Sequence, residues 1–228
     1  MPVSSIIFLP SILIALFAIS TSVTRAENPD ASDSSAIVEG SVPLPESPSP
    51  AIMAKRYEIV SKGGALSTIP PVGVVWLEGD FPPLQDPPVV EMNQEEFMFT
   101  PSLLTIRPGT VVAFPNNDEE YHNVFSYSPT ERFDLGRYLP DERPVPTQVF
   151  DEPGMVTIRC DIHEHMRAII LVIDSPHFVT TDTKGRFRLE NLPAGTYTLK
   201  AWINSRETLE RSVVLKAGET TTITFSRD

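Results

Sequence analysis

The chain has 228 residues, so two small domains are the natural expectation and a sizeable core is within reach. Thirty Asp and Glu against 18 Lys and Arg give a formal charge of -12, which makes nucleic acid and anionic membrane poor partners; solubility is its plain reading, and docking to a positively charged protein partner the sharper one. Twenty-three prolines and runs of Val, Thr, Ile and Phe favour short strands and loops over helices, and an all-β fold is expected.

In chain order, the first feature is an apolar run from Ile6 to Ile19, followed by Thr24 and Ala26 at the spacing a signal peptidase accepts. Residues 1–26 read as an export signal cleaved after Ala26, although Met1 to Ser5 carries no Lys or Arg. A membrane anchor is the competing reading, but 14 helical residues reach only about 21 Å across a hydrocarbon core of about 30 Å, and Pro10 interrupts the run. A lipoprotein anchor would need a Cys at the cleavage site, and the chain has its one Cys at position 160. The expected location is the periplasm or another exported compartment, with membrane contact only through the signal. Residues 27–35 and 43–52, rich in Ser, Pro and acids, read as a tail and a loop. Between and after them, Ala36 to Val42 and Val72 to Gly79 read as strands.

Phe97 to Phe99 and Leu103 to Ile106 look like an early strand pair, Arg107-Pro-Gly109 a turn, and Thr110 to Phe114 a further strand. A polar loop then leads to His122-Asn123 and a second apolar run. Glu152-Pro-Gly154 opens a strand that ends at Cys160, in the sequence Cys160-Asp-Ile-His163-Glu-His165-Met166. A lone exported cysteine can be a core thiol, half of an intermolecular bridge or a metal ligand. Here a thiolate, two imidazoles and a thioether fall within seven residues. That soft set selects copper, and two His with one Cys and a distant Met is its electron-transfer form. A second imidazole must come from elsewhere, and His122 is better placed than His177, which follows Pro176 at a domain junction.

These residues resemble the cupredoxin family over 89–173, in its plastocyanin- and amicyanin-like branch, where Cys-x2-His-x2-Met is the short ligand loop and a His-Asn pair opens the site. The resemblance implies a Greek-key β-sandwich holding one copper ion with His122, Cys160, His163 and Met166, with Asn123 tying the ligand loops together near the thiolate. His163 would then be the electron-transfer edge. His165 reads as a solvated loop residue, with a protonation switch or a substitute ligand as alternatives, and Glu119-Glu120 as a solvated turn.

After residue 175, Phe187 and Leu189 alternate with Arg186 and Arg188, and Tyr197, Leu199 and Ala201 with Thr198 and Lys200. Ile223 and Phe225 mark a last strand. The turn from Asp182 to Phe187 and the segment Leu192 to Tyr197 resemble a carboxypeptidase-regulatory-like, transthyretin-like β-sandwich. Its missing early strands would be those at 36–42 and 72–79. The expectation is a discontinuous sandwich, 36–80 plus 175–228, into which the copper domain, 81–174, is inserted or which flanks it.

Chains combining these modules resemble proteins labelled methylamine-utilisation. The function expected is a one-electron carrier cycling Cu(II) and Cu(I) with a redox protein partner, and not an enzyme. Copper sensing or storage, an open catalytic copper site and an envelope-binding sandwich with incidental metal are the alternatives. Phosphate loops, a Gly-x-Ser-x-Gly elbow and a His-Glu-x-x-His motif are absent from the sequence.

Overall fold

The structure, a computed structural model, describes residues 35–45 and 71–227. The expected export signal lies outside the described residues, as do most of the two Ser- and Pro-rich segments. Every regular element among the described residues is a strand, as the composition predicts, and no helix there is long and apolar enough to cross a membrane.

The middle of the chain folds around one core. One sheet contains β6 (Leu103–Ile106), β12 (Arg167–Val172), β11 (Gly154–Arg159), β8 (His122–Tyr127) and β9 (Arg132–Tyr138), hydrogen-bonded in that order. A second contains β10 (Thr147–Phe150), β7 (Thr110–Ala113) and β3 (Val89–Glu91). The hairpin of β4 (Asn93–Glu95) and β5 (Met98–Thr100) is a separate two-stranded sheet, joined through Gln94 to residues 115–117 just beyond β7. Buried Phe99, Phe114, Val124, Phe150, Ile158 and Ile170 belong to the apolar cluster that also includes Cys160 and Met166.

The flanking segments build a second core. Here β1 (Ala36–Ser41) lies between β14 (Arg186–Leu192) and β17 (Thr220–Thr224), antiparallel to the first and parallel to the second. The other sheet runs β13 (Phe178–Thr180), β2 (Val74–Glu78), β15 (Gly195–Asn204), β16 (Glu207–Leu215), with Leu77 opposite Leu199. Strands on either side of the middle segment therefore pair with one another. The period-two pattern is visible in burial: Phe187 and Leu189 face inward while Arg186 and Arg188 stay exposed.

Strand β12 explains how the cores meet. Ala168, Ile170 and Val172 enter the first core, while Ile169, Leu171 and Ile173 on its other face join Val74 and Trp202 in a junction cluster. A strand buried on both faces reads as an unbroken apolar run, and Ala168 to Ile173 is such a run.

Two expectations are corrected. The segments at 97–99 and 103–106 do not pair with each other: β5 pairs with β4, and β6 runs parallel to β12. Phe97 consequently sits in the hairpin turn rather than in a strand. Strands β9, β10 and β16 had no counterpart in the sequence reading, although Phe133 and Leu135 alternate visibly with charged neighbours.

Candidate metal centre

Strand β11 ends at Arg159, and the chain turns back into β12 at Arg167, so Cys160 to Met166 forms the connection of an antiparallel pair. Two backbone bonds close it: Met166 N–H donates to the His163 carbonyl at 2.9 Å, and Cys160 N–H to the Met166 carbonyl at 3.3 Å. The thiol and the thioether thus leave the two ends of one tight turn. Cys160 is 4% exposed and Met166 wholly buried, while His163 is partly exposed.

His122 arrives from the neighbouring strand as the first residue of β8 and is also wholly buried. Its Nδ1 lies 3.1 Å from Nδ1 of His163, which in turn lies 3.9 Å from Cys160 Sγ. The three side chains form a group whose ligand atoms fall within 4.8 Å of one another. Two nitrogens sharing one ion at about 2.0 Å each cannot be more than about 4 Å apart, nor a nitrogen and a thiolate sulfur more than about 4.3 Å. Both of these separations meet that limit, and with all three ligand atoms within 4.8 Å of one another the group is compact enough to close on a single ion. Met166 packs in the same buried cluster as Cys160.

Groups around these side chains hold them in that arrangement. The Nε2–H of His122 donates to Asp118 Oδ2 at 2.8 Å, which leaves Nδ1 directed at the site. Asp118 is itself placed by Asn116, whose Oδ1 accepts from Asp118 N–H and whose amide donates to the carbonyls of Glu120 and Tyr138. Asn123 N–H approaches Cys160 Sγ at 3.5 Å. Its side chain does not reach the Cys160 loop: the amide donates to Asp134 on β9 at 2.7 Å. That loop is tied to β9 instead by Arg137, which donates from Nη2 to Asp161 at 2.8 Å.

Electrostatics follow the same geometry. Burial pushes the Cys160 thiol up, but hydrogen bonds from His122 and from the backbone N–H groups of Asn123, His163 and Ile162 outweigh it and hold the thiol below its ordinary range. The thiolate is the form that binds metal. Burial also pulls His122 down, and the Cys160 thiolate and Asp118 carboxylate more than compensate. His163 is lowered by burial and by the neighbouring imidazoles, so its nitrogen is available as a ligand near neutrality.

The structure brings His122, Cys160 and His163 together and places Met166 beside them. His177 is elsewhere, its ring edge-on to Phe81 at 5.0 Å. His165 differs from a solvated loop residue: it is only partly exposed, its ring lies 6.1 Å from that of His163, and its Nε2 is buried with no protein partner. In the sequence alone Asp118 has no role and Phe97 reads as a strand residue, although an Asp four residues before a candidate ligand is a usable signal.

No curated protein matches the chain. Among solved structures, amicyanin from Paracoccus versutus is similar at 20% identity over 43% of this chain and 97% of that one, with a TM-score of 0.34. A purple cupredoxin from Nitrosopumilus maritimus is similar at 24% identity over 33% of this chain and 82% of that one, with a TM-score of 0.30. Residues 167–226 match the family model described as the carboxypeptidase regulatory-like domain, a span that starts on β12 and runs through β13 to β17.

Proposed function

We propose that the chain is an exported one-electron carrier in which His122, Cys160, His163 and Met166 hold one copper ion. In this reading 81–174 is a cupredoxin domain inserted into a discontinuous carboxypeptidase-regulatory-like sandwich, 36–80 plus 175–228. The observation that carries it is the convergence of two imidazole nitrogens and a thiolate beside a buried methionine, on a turn closed by its own backbone hydrogen bonds. When bound, copper would supply a Cu(II)/Cu(I) couple. The protein's part is to hold the donors still, so that little rearrangement accompanies the change of oxidation state.

The surroundings suit transfer rather than catalysis. Met166, buried in the same cluster as Cys160, would take up the coordination position that a substrate would need. Beside the partly exposed His163 lie exposed Tyr121 and Ile162, with Glu119, Glu120 and Glu164 exposed around them. An apolar contact with an acidic rim fits a cationic redox partner, and the association rate with such a partner should fall as salt is added.

Copper loading tests the reading directly. One equivalent should bind and give an intense thiolate-to-copper absorption band with narrow hyperfine splitting, and Cys160→Ser should abolish both. A spectrum unchanged in that variant would refute the site. Met166→Leu should retain copper and raise the reduction potential, and loss of copper there would show that Met166 does more than tune.

A further inference from the structure

The β4–β5 turn is two residues long, because Glu95 pairs with Met98, and both of its residues have positive φ, 52° at Glu96 and 59° at Phe97. Two-residue turns of this hand are ordinarily built from Asn, Asp or Gly, for which the left-handed conformation is cheap. Glu and Phe lack that advantage, so a contact from outside the hairpin must help to hold the turn. Asp118 provides it. Its Oδ1 accepts from Glu96 N–H at 2.7 Å, and its Oδ2 from Phe97 N–H at 2.9 Å. The same Oδ2 accepts from Nε2 of His122. One carboxylate therefore joins a strained turn to a candidate ligand. The turn in turn places the Phe97 ring edge-on to both imidazoles, 5.7 Å from His122 and 5.0 Å from His163 by ring centres.

We propose that this turn is a latched cap on the metal centre, in which Phe97 covers both histidines, Asp118 holds the cap shut, and copper is gained and lost through its opening. The proposal rests on the reading that His122 and His163 bind copper. A covering element kept closed by one side chain opens locally at a rate set by that side chain. Phe97 and Asp118 then act as positioning residues, and their effect is on exchange of the ion rather than on the identity of its ligands.

Two variants separate the ring from the latch. Phe97→Asn keeps a residue suited to positive φ and removes the ring, and Asp118→Ala removes the latch and keeps the ring. In the copper-loaded full chain, each should transfer copper to excess chelator about tenfold faster or more, the scale of one lost charge-assisted hydrogen bond or its equivalent. The double variant should be no faster than the faster single one, since both act on one opening. Phe97→Asn should keep the thiolate band unchanged. In the copper-free chain, Asp118→Ala should also speed hydrogen exchange at the amides of Glu96 and Phe97. Copper bound normally but released within about twofold of the unsubstituted rate in both variants would overturn the cap alone. Failure of the unsubstituted chain to take up copper would overturn the copper reading and the cap with it.

Discussion

The core that holds His122 also buries Gln94, Thr110, Asn116, Asn123 and Ser126, whereas the buried cluster around Leu77 and Leu199 is apolar, and the other buried polar residues described, Ser175 and Thr181, flank β13 at its margin. The five buried polar atoms without a protein partner among the described residues belong to Gln94, Thr105, Arg107, Asn123 and His165, again all in the middle segment. Burying polar groups costs stability unless each is hydrogen-bonded, and orphaned ones mark places where something other than packing decided the residue. The middle core therefore carries the polar burden, and the candidate site lies within it. The flanking core has no such burden, and through β12 and Trp202 it offers the middle segment a firm face to lie against.

The heaviest test of that contrast is Leu199→Ala. Leu199 is wholly buried in the apolar core, and truncation should cost about 3 kcal/mol. Because β12 gives one face to each side, unfolding should remain a single transition shifted to lower denaturant, while the copper uptake proposed for the folded protein should be unchanged. Two separated transitions would show that the cores are independent. Gly185→Ala should cost less, about 2 kcal/mol, by a different route. Gly185 has φ of 78°, and a Cβ there would lie 2.1 Å from the Val42 carbonyl oxygen, so the strand entering from the N-terminal segment must shift. A neutral result would mean that 42–44 is free to move away from the turn.

The same contrast decides what sequence could reveal. Alternation made the flanking strands legible, because Phe187, Leu189 and Leu199 had only packing to satisfy. The candidate ligand turn was legible because Cys160, His163 and Met166 fall within seven residues and are chemically rare together. Phe97 was misread, since its apolar character is that of a strand residue while its position is fixed by Asp118, 21 residues away. Asp118 was missed for the complementary reason: its donors come from 96, 97 and 122, and no local pattern encodes a carboxylate shared among them. His165 read as solvated because neighbouring residues in a loop do not disclose which ring atoms the fold covers.

Tyr138 sharpens the polar side of the comparison. Its hydroxyl donates to the Phe114 carbonyl at 2.7 Å and accepts from Gln94 at 2.6 Å. Tyr138→Phe should cost about 1 kcal/mol, since it leaves two buried partners short of a hydrogen bond. Burial, only partly offset by the Gln94 hydrogen bond and the nearby Arg143, pushes the phenol from 10.0 up to about 12. With the folded value raised, the unfolded chain ionises first. The stability this group contributes is complete below about pH 10 and is lost as pH rises through 12. Denaturation midpoints between those limits should fall for the unsubstituted chain and fall less steeply for Tyr138→Phe.

Asp182 gives the smallest effect and tests the flanking side in acid. Its Oδ1 accepts from the N–H groups of Lys184 and Arg186, both at 2.9 Å, and its Oδ2 from Arg186 Nε at 2.6 Å. The Arg186 N–H, opposed by burial, together with the guanidinium and the Lys184 N–H, holds the carboxyl below its ordinary range. A carboxyl lowered on folding stabilises above its unfolded value, and that contribution is lost as pH falls through the folded one. Asp182→Asn keeps an oxygen for both backbone donors and loses only the exposed ion pair, so it should leave neutral-pH stability almost unchanged and flatten the acid limb. Asp182→Ala loses the turn bonds as well and should be less stable at every pH. If Asn proved as damaging as Ala at pH 7, the charge rather than the turn geometry would be holding this end of the apolar sandwich, and its cohesion would not rest on packing alone.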